Sequence, residues 1–215
     1  MSEVSYDKFL PEVMQFVRDV PEVVAVNAIR NSCIQFCEKT LYLQEILDPM
    51  PVIANVSEYD LDPDGDYKVV DVIEAWNADQ FLIPKSIEEL TRIYRVTNWQ
   101  NLIGNPYYFY RPSPSTLRLV PTPELTVANN LRITVGLAPT RGSTTVHESI
   151  YERWLEQIAL GARARLYDTP NQPYYDPKSA GVYLKRFEDA CADIRRRVNM
   201  GNVRASSKVE FQRWV

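Results

Sequence analysis

Glycine, cysteine and histidine are all scarce in this chain. Its 215 residues include 7 glycines, 3 cysteines and 1 histidine. The glycines are scattered, so no glycine-rich loop is available to cradle a phosphate, and no G-x-S-x-G nucleophile elbow occurs. A single histidine rules out H-E-x-x-H and leaves a general base without an obvious constellation around it. An odd cysteine count, with no basic-then-apolar export signal at the start, argues against a disulfide framework and predicts a reducing compartment, the cytoplasm where the chain is made. No apolar run approaches the ~20 residues that cross a bilayer, so no membrane partner is expected. No internal repeat or low-complexity tract is present.

What remains is an ordinary globular composition, 45% hydrophobic and 24% charged, with 15 prolines. A chain of this length buries about 70% of its unfolded surface and needs no staples. Charge is unevenly spread. Residues 1–149 carry 20 acidic against 12 basic side chains, and residues 150–215 carry 8 against 12. An acidic body with a basic C-terminal part suggests different partners on different faces.

The best-patterned stretch is 150–167. Tyr151, Trp154, Leu155, Ile158, Ala162 and Leu166 recur at helical spacing, with Glu152, Arg153, Glu156, Gln157 and Arg163 mostly off that stripe. Gly161, Ala162 and Ala164 make a small-residue patch. A helical glycine costs about 1 kcal/mol relative to alanine, so Gly161 points to close packing there. Helix packing is assigned to Trp154, Ile158, Gly161, Ala162 and Leu166. Further helices are expected from about residue 6, capped by Ser5, over 21–43, and over 177–198 behind an Asp176-Pro177 cap with Gly201 as terminator. Ser86 and Glu89 form a capping-box pattern.

Between the helical ends the period changes. Stretches 52–56, 67–73, 80–83, 107–110, 116–120 and 131–137 read as strands separated by proline and asparagine turns. The fold class expected is α+β: a four-helix-type bundle formed by the N- and C-terminal helices, with a β-rich insertion and an extended C-terminal arm. The divisions are 1–49, helical; 50–145, β-rich insertion; 146–200, helical; and 201–215, the arm.

Candidate chemistry is thin. Asp60, Asp62, Asp64 and Asp71, with Gly65, partly match a calcium loop, but a proline interrupts it and an aspartate stands where a bidentate glutamate belongs. Cys33 and Cys37 lie one helical turn apart, with only Cys191 and His147 to complete a zinc set, so buried apolar cysteines are expected. No catalytic residue, metal or cofactor is assigned. Tyr107-Tyr108-Phe109-Tyr110-Arg111 offers aromatics to a single strand, although alternate rings on a strand face opposite ways. The tail carries Val203, Val209, Phe211, Trp214 and Val215 with Arg204, Lys208 and Arg213. That mixture is too apolar for a solvated end and suits a docking arm.

The helical pair at 6–17 and 21–43 contains Ile34-Gln35-Phe36-Cys37. The returning helix contains Leu160-Gly161-Ala162-Arg163-Ala164-Arg165-Leu166, and the last helix runs into Arg197-Val198-Asn199-Met200-Gly201-Asn202. In this order, around a β insertion, they resemble the head-to-tail adaptor (connector) proteins of tailed bacteriophages over most of the chain. The resemblance implies a non-enzymatic virion protein of the neck and a homo-oligomeric ring, usually of twelve copies. It implies a portal protein on one side, a tail, nozzle or neck protein on the other, and double-stranded DNA passing through without sequence-specific binding. On that basis the arm residues Val203, Arg204, Lys208, Val209, Phe211, Arg213, Trp214 and Val215 dock on the portal. Two other classes stay open. One is a nucleic-acid-binding module using 107–110 and the basic C-terminus, and the other is a hydrolase or metal enzyme around His147 or the aspartate loop.

Overall fold

The computed structural model describes residues 2–201. Among the described residues there are five α-helices and thirteen strands. The chain opens with β1 (Glu3–Ser5), a 3₁₀ turn at Tyr6–Phe9, α1 (Leu10–Met14) and α2 (Glu22–Thr40). Short strands follow: β2 (Gln44–Ile46), β3 (Met50–Val52) and β4 (Glu58–Asp60), then the long β5 (Tyr67–Asn77). β6 (Gln80–Phe81) and β7 (Ile83–Pro84) lead to α3 (Ile87–Tyr94) and β8 (Ile103–Gly104). β9 (Tyr108–Ser113), β10 (Thr116–Val120), β11 (Thr122–Pro123), β12 (Val127–Pro139) and β13 (Thr145–His147) complete the strands. α4 (Glu148–Tyr167) and α5 (Pro177–Asn199) close the described chain.

Local chemistry sets the boundaries. Pro21, extended at φ −60° and ψ 136°, leads into α2. α2 stops three residues short of the expected end because Leu41 turns left-handed (φ 50°), its N–H bonding Cys37 O. Ser86 and Glu89 form the capping box of α3 in both directions. Asp176 Oδ1 accepts from the N–H groups of Lys178 and Ser179 at the start of α5. Gly201, at φ +68°, follows α5 in the left-handed conformation that ends helices.

The strands form four sheets. The largest has five strands in the order β2-β12-β5-β6, with β3 also on β12, and all pairings are antiparallel. Two register shifts between β5 and β12 fall at Thr134/Val135 and Gly136/Leu137. Such bulges bend a strand and increase its twist, and the sheets of this fold include a curled half-barrel. A second sheet runs β4-β10-β9-β7, with β7 parallel to β9. β8 and β11 pair in parallel, and β1 pairs antiparallel with β13, tying the N-terminus to the strand before α4.

A four-helix-type bundle does not form, and the expectation of one is corrected. The fold is mixed α+β, with five helices against several sheets. Two physical reasons account for the difference. α1 has five residues, since the turn before it is 3₁₀ and the helix stops at Met14, ahead of the left-handed Asp19 (φ 60°), so it is too short to act as a fourth strut. The apolar surface of α2 is also wider than one stripe. Ala25, Ala28, Ile29, Cys33, Ile34, Phe36 and Cys37 are all buried, packed against α4 and α5 on one side and β12 on the other. Gly136 of β12 marks that second contact, since an added Cβ would stand 3.0 Å from Leu41 Cδ2. Periodicity finds an apolar face but does not say whether a helix or a sheet will cover it.

One large core runs from α1 and α2 through the sheets to α4 and α5. A small second cluster holds Leu90, Trp99, Tyr110 and Val120 under α3.

Candidate assembly surfaces

α4 is where the helices meet. It bends at Trp154, whose φ of −129° and ψ of 18° leave helical space. The Trp154 ring lies half-buried against Tyr42 and Phe36, at centroid distances of 5.6 and 6.0 Å. Ile158, Ala162 and Leu166 are buried in the core. At Gly161 an added Cβ would overlap Ser32 Oγ of α2 and stand 3.0 Å from the Phe187 ring of α5. Ser32 Oγ is fixed there by donating to Ile158 O at 2.8 Å.

Arg163 reverses its sequence reading. It is 5% exposed rather than off the packed face. Its Nη2 donates to Glu12 Oε1 at 2.8 Å and to Glu12 O at 2.5 Å, and its guanidinium lies 3.8 Å from the centre of the Phe16 ring. Tyr167 Oη donates to Phe16 O at 2.8 Å. The N-terminal segment is thus held to α4 by a charged anchor. Its neighbours Gly161, Ala162 and Ala164 are buried with it, and that small-residue patch was the one hint in the sequence of close packing around the arginine.

The chemical candidates are scattered. His147 caps α4: its Nδ1 accepts from Ser149 N at 3.2 Å and lies 2.7 Å from Ser149 Oγ. Cys33, Cys37 and Cys191 are buried free thiols, and burial pushes each of them up, Cys191 to about 11. Asp60, Asp62, Asp64 and Asp71 are all exposed, with Asp60 ending β4 and Asp71 in β5 at 3.8 Å from Arg111. Among the described residues no three His, Cys, Asp or Glu side chains gather as a metal site.

The aromatic strand is spent on packing. Phe109 (3% exposed) enters the main core and Tyr110 (8%) enters the cluster under α3. Tyr107 is exposed, just before β9. This strand therefore presents no continuous row of exposed rings to nucleic acid. Most exposed large apolar side chains instead lie between Ile46 and Val127. The tail assignments at Val203, Arg204, Lys208, Val209, Phe211, Arg213, Trp214 and Val215 lie outside the described residues. Among the described residues no helix is long and apolar enough to cross a membrane.

A family model described as SU10 adaptor protein matches residues 4–208, nearly the whole chain. The chain belongs to the SU10 adaptor family. This is a family of phage head-to-tail adaptors, structural components of the virion that associate with portal and tail components. No curated protein matches the chain. Within this SU10 adaptor, the buried Arg163 anchor and the Gly161 crossing hold the helical layer together, while apolar surface is left outside on the β-rich part.

Proposed function

We propose that this SU10 adaptor forms a closed ring of about twelve copies in the neck of a tailed-phage virion, using the head-to-tail contacts that generate cyclic symmetry. The ring lies below the portal, joins the capsid to the tail, and lets double-stranded DNA pass during genome ejection. Residues 203–215 dock on the portal. The β-rich part, residues 50–145, faces neighbouring copies and the tail side.

The family match over residues 4–208 carries this reading. The acidic excess of residues 1–149 supports it, because a lining of like charge lets duplex DNA slide without gripping its phosphates. The exposed apolar residues of the β-rich part also support it, since such surface marks contact sites.

Mass photometry of the chain alone and on purified portal tests the ring. A species of about a dozen copies is expected, and a monomer under both conditions refutes it. Deleting residues 202–215 should leave a folded chain that no longer binds portal. Portal binding by the folded truncation removes the tail from this role.

A further inference from the structure

Between Arg95 and Arg132 only Arg111, Arg118 and Glu124 carry charge, although charged residues make up 24% of the chain. Residues 49–57 carry none. The fold brings these stretches together. Thr122 and Pro123 of β11 pair with Ile103 and Gly104 of β8. Asn55 N donates to Pro123 O at 2.9 Å, Ala54 N donates to Thr126 Oγ1 at 2.9 Å, and Val127 pairs with Val52. Ile53, Val56, Ile103, Leu125 and Val127 stay exposed on this stitched surface, with Leu125 at 71% and Ile103 at 60%.

A groove of about 170 Å³ lies within it, lined by Val52, Pro123, Leu125 and Val127, with the amides of Asn77 and Asn130 and one charged side chain, Glu124. Those amides are bonded within the fold, Asn130 Nδ2 donating to Asn77 Oδ1 at 2.6 Å and Asn77 Nδ2 to Asn105 Oδ1 at 3.4 Å. Glu124 is the one charged group in the lining, and the rest of it is apolar or amide.

We infer that this charge-poor apolar surface is the seam on which a second copy of the chain docks. The inference rests on the ring reading above and names the surface that closes it. Charge selects the occupant. Nucleic acid needs cations, and the groove offers none. A basic partner would be drawn to the carboxylates that crowd the rest of the body. Where the acidic parts of two copies meet, repulsion is least at the surface with the fewest carboxylates. Depletion of charge at the centre, with apolar side chains exposed, is also the compositional mark of an interface core.

The test uses the full chain, unaltered and as Ile103→Asp/Leu125→Asp, followed by mass photometry over a concentration series. Both side chains are open to water, so the variant should keep the circular dichroism spectrum and melting behaviour of the free chain. If the paired variant nevertheless loses its fold, Leu125→Asp alone carries the test, with the same expected direction. A control, Ile46→Asp, alters another exposed apolar residue, the last of β2, beside Glu45 and two residues before Asp48. The seam variant should need at least about 100-fold more protein to assemble, two carboxylates having to be buried against apolar surface in every contact. The control should assemble as the unaltered chain does. Unchanged assembly of the folded seam variant overturns the inference and leaves the ring reading standing. So does equal loss in the control, or a seam variant that keeps its ring but no longer binds a tail-side protein. An unaltered chain that never exceeds a monomer, even on portal, sinks the ring reading itself.

Discussion

Two glycines in neighbouring helices should respond oppositely to the same substitution. Gly161 of α4 and Gly181 of α5 both occupy helix interiors, where alanine is favoured over glycine by about 1 kcal/mol. At Gly181 an added Cβ meets nothing within 4 Å. Gly181→Ala should therefore collect the helix preference and stabilise the chain by about 0.5–1 kcal/mol. At Gly161 the same methyl group overlaps Ser32 Oγ and presses on the Phe187 ring at 3.0 Å. Both neighbours are fully buried, so neither can swing away into water. Overpacking of this kind costs about 1–3 kcal/mol, and displacing the Ser32 hydroxyl from Ile158 O adds about 1 kcal/mol. Set against the helix gain, Gly161→Ala should destabilise by about 2 kcal/mol. For a chain of this size that is a fall of roughly 4–8 °C in melting temperature.

The measurement is chemical or thermal unfolding of both variants at one protein concentration, because assembly would otherwise shift the midpoint. Ser32→Ala supplies the second axis. It removes the overlapping oxygen, so Gly161→Ala should cost about 1 kcal/mol less in that background than alone. Stabilisation by Gly161→Ala, or equal costs in both backgrounds, would refute the claim that close packing of α2 and α5 dictates this glycine.

Two further outcomes follow from the site geometry. Arg163→Met should destabilise by about 2 kcal/mol, less than a fully buried pair because the Glu12 side chain stays 30% exposed; hydrogen exchange should quicken first in residues 2–20, and a uniform increase across α4 and α5 would show that the arginine does not anchor the N-terminal segment. The Glu89 carboxyl, hydrogen-bonded by Lys85 and by Ser86 N–H, is held down at about 2; with the folded value below the ordinary one, its support of α3 is complete above about pH 4.5 and fades as pH falls through about 2, so an NMR titration midpoint near 4.5 would mean the capping box is not populated.

The sequence was most legible where a single local interaction decides the outcome. The Ser86 box, the Asp176-Pro177 start and the Gly201 stop each involve groups within a few residues of one another. Cys33 and Cys37 were likewise read correctly as packed apolar side chains. β12 was under-read: it runs from Val127 to Pro139, beyond the stretch 131–137 that its alternation suggested, because β3 pairs with its start at Val127 and β5 with its end through Pro139. The choice between bundle and mixed fold depended on a contact between residues about 95 positions apart, Leu41 against Gly136. No local pattern encodes that.

Arg163 shows why the hardest features to read concern charge. A stripe analysis sorts arginine to the solvent side by type, yet here burial is tolerated because one carboxylate, one backbone carbonyl and one aromatic ring all reach the same guanidinium. The apolar surface around Leu125 and Ile103 reverses the problem: side chains sorted to the core by type are left in water. A monomer does not gain from that exposure, and its neighbours in the fold carry almost no charge to screen it. The two departures have one cause. Burial is settled by what is present to meet a side chain, and for Arg163 that partner is within the chain, whereas for Leu125 the seam proposed above supplies it from a second copy.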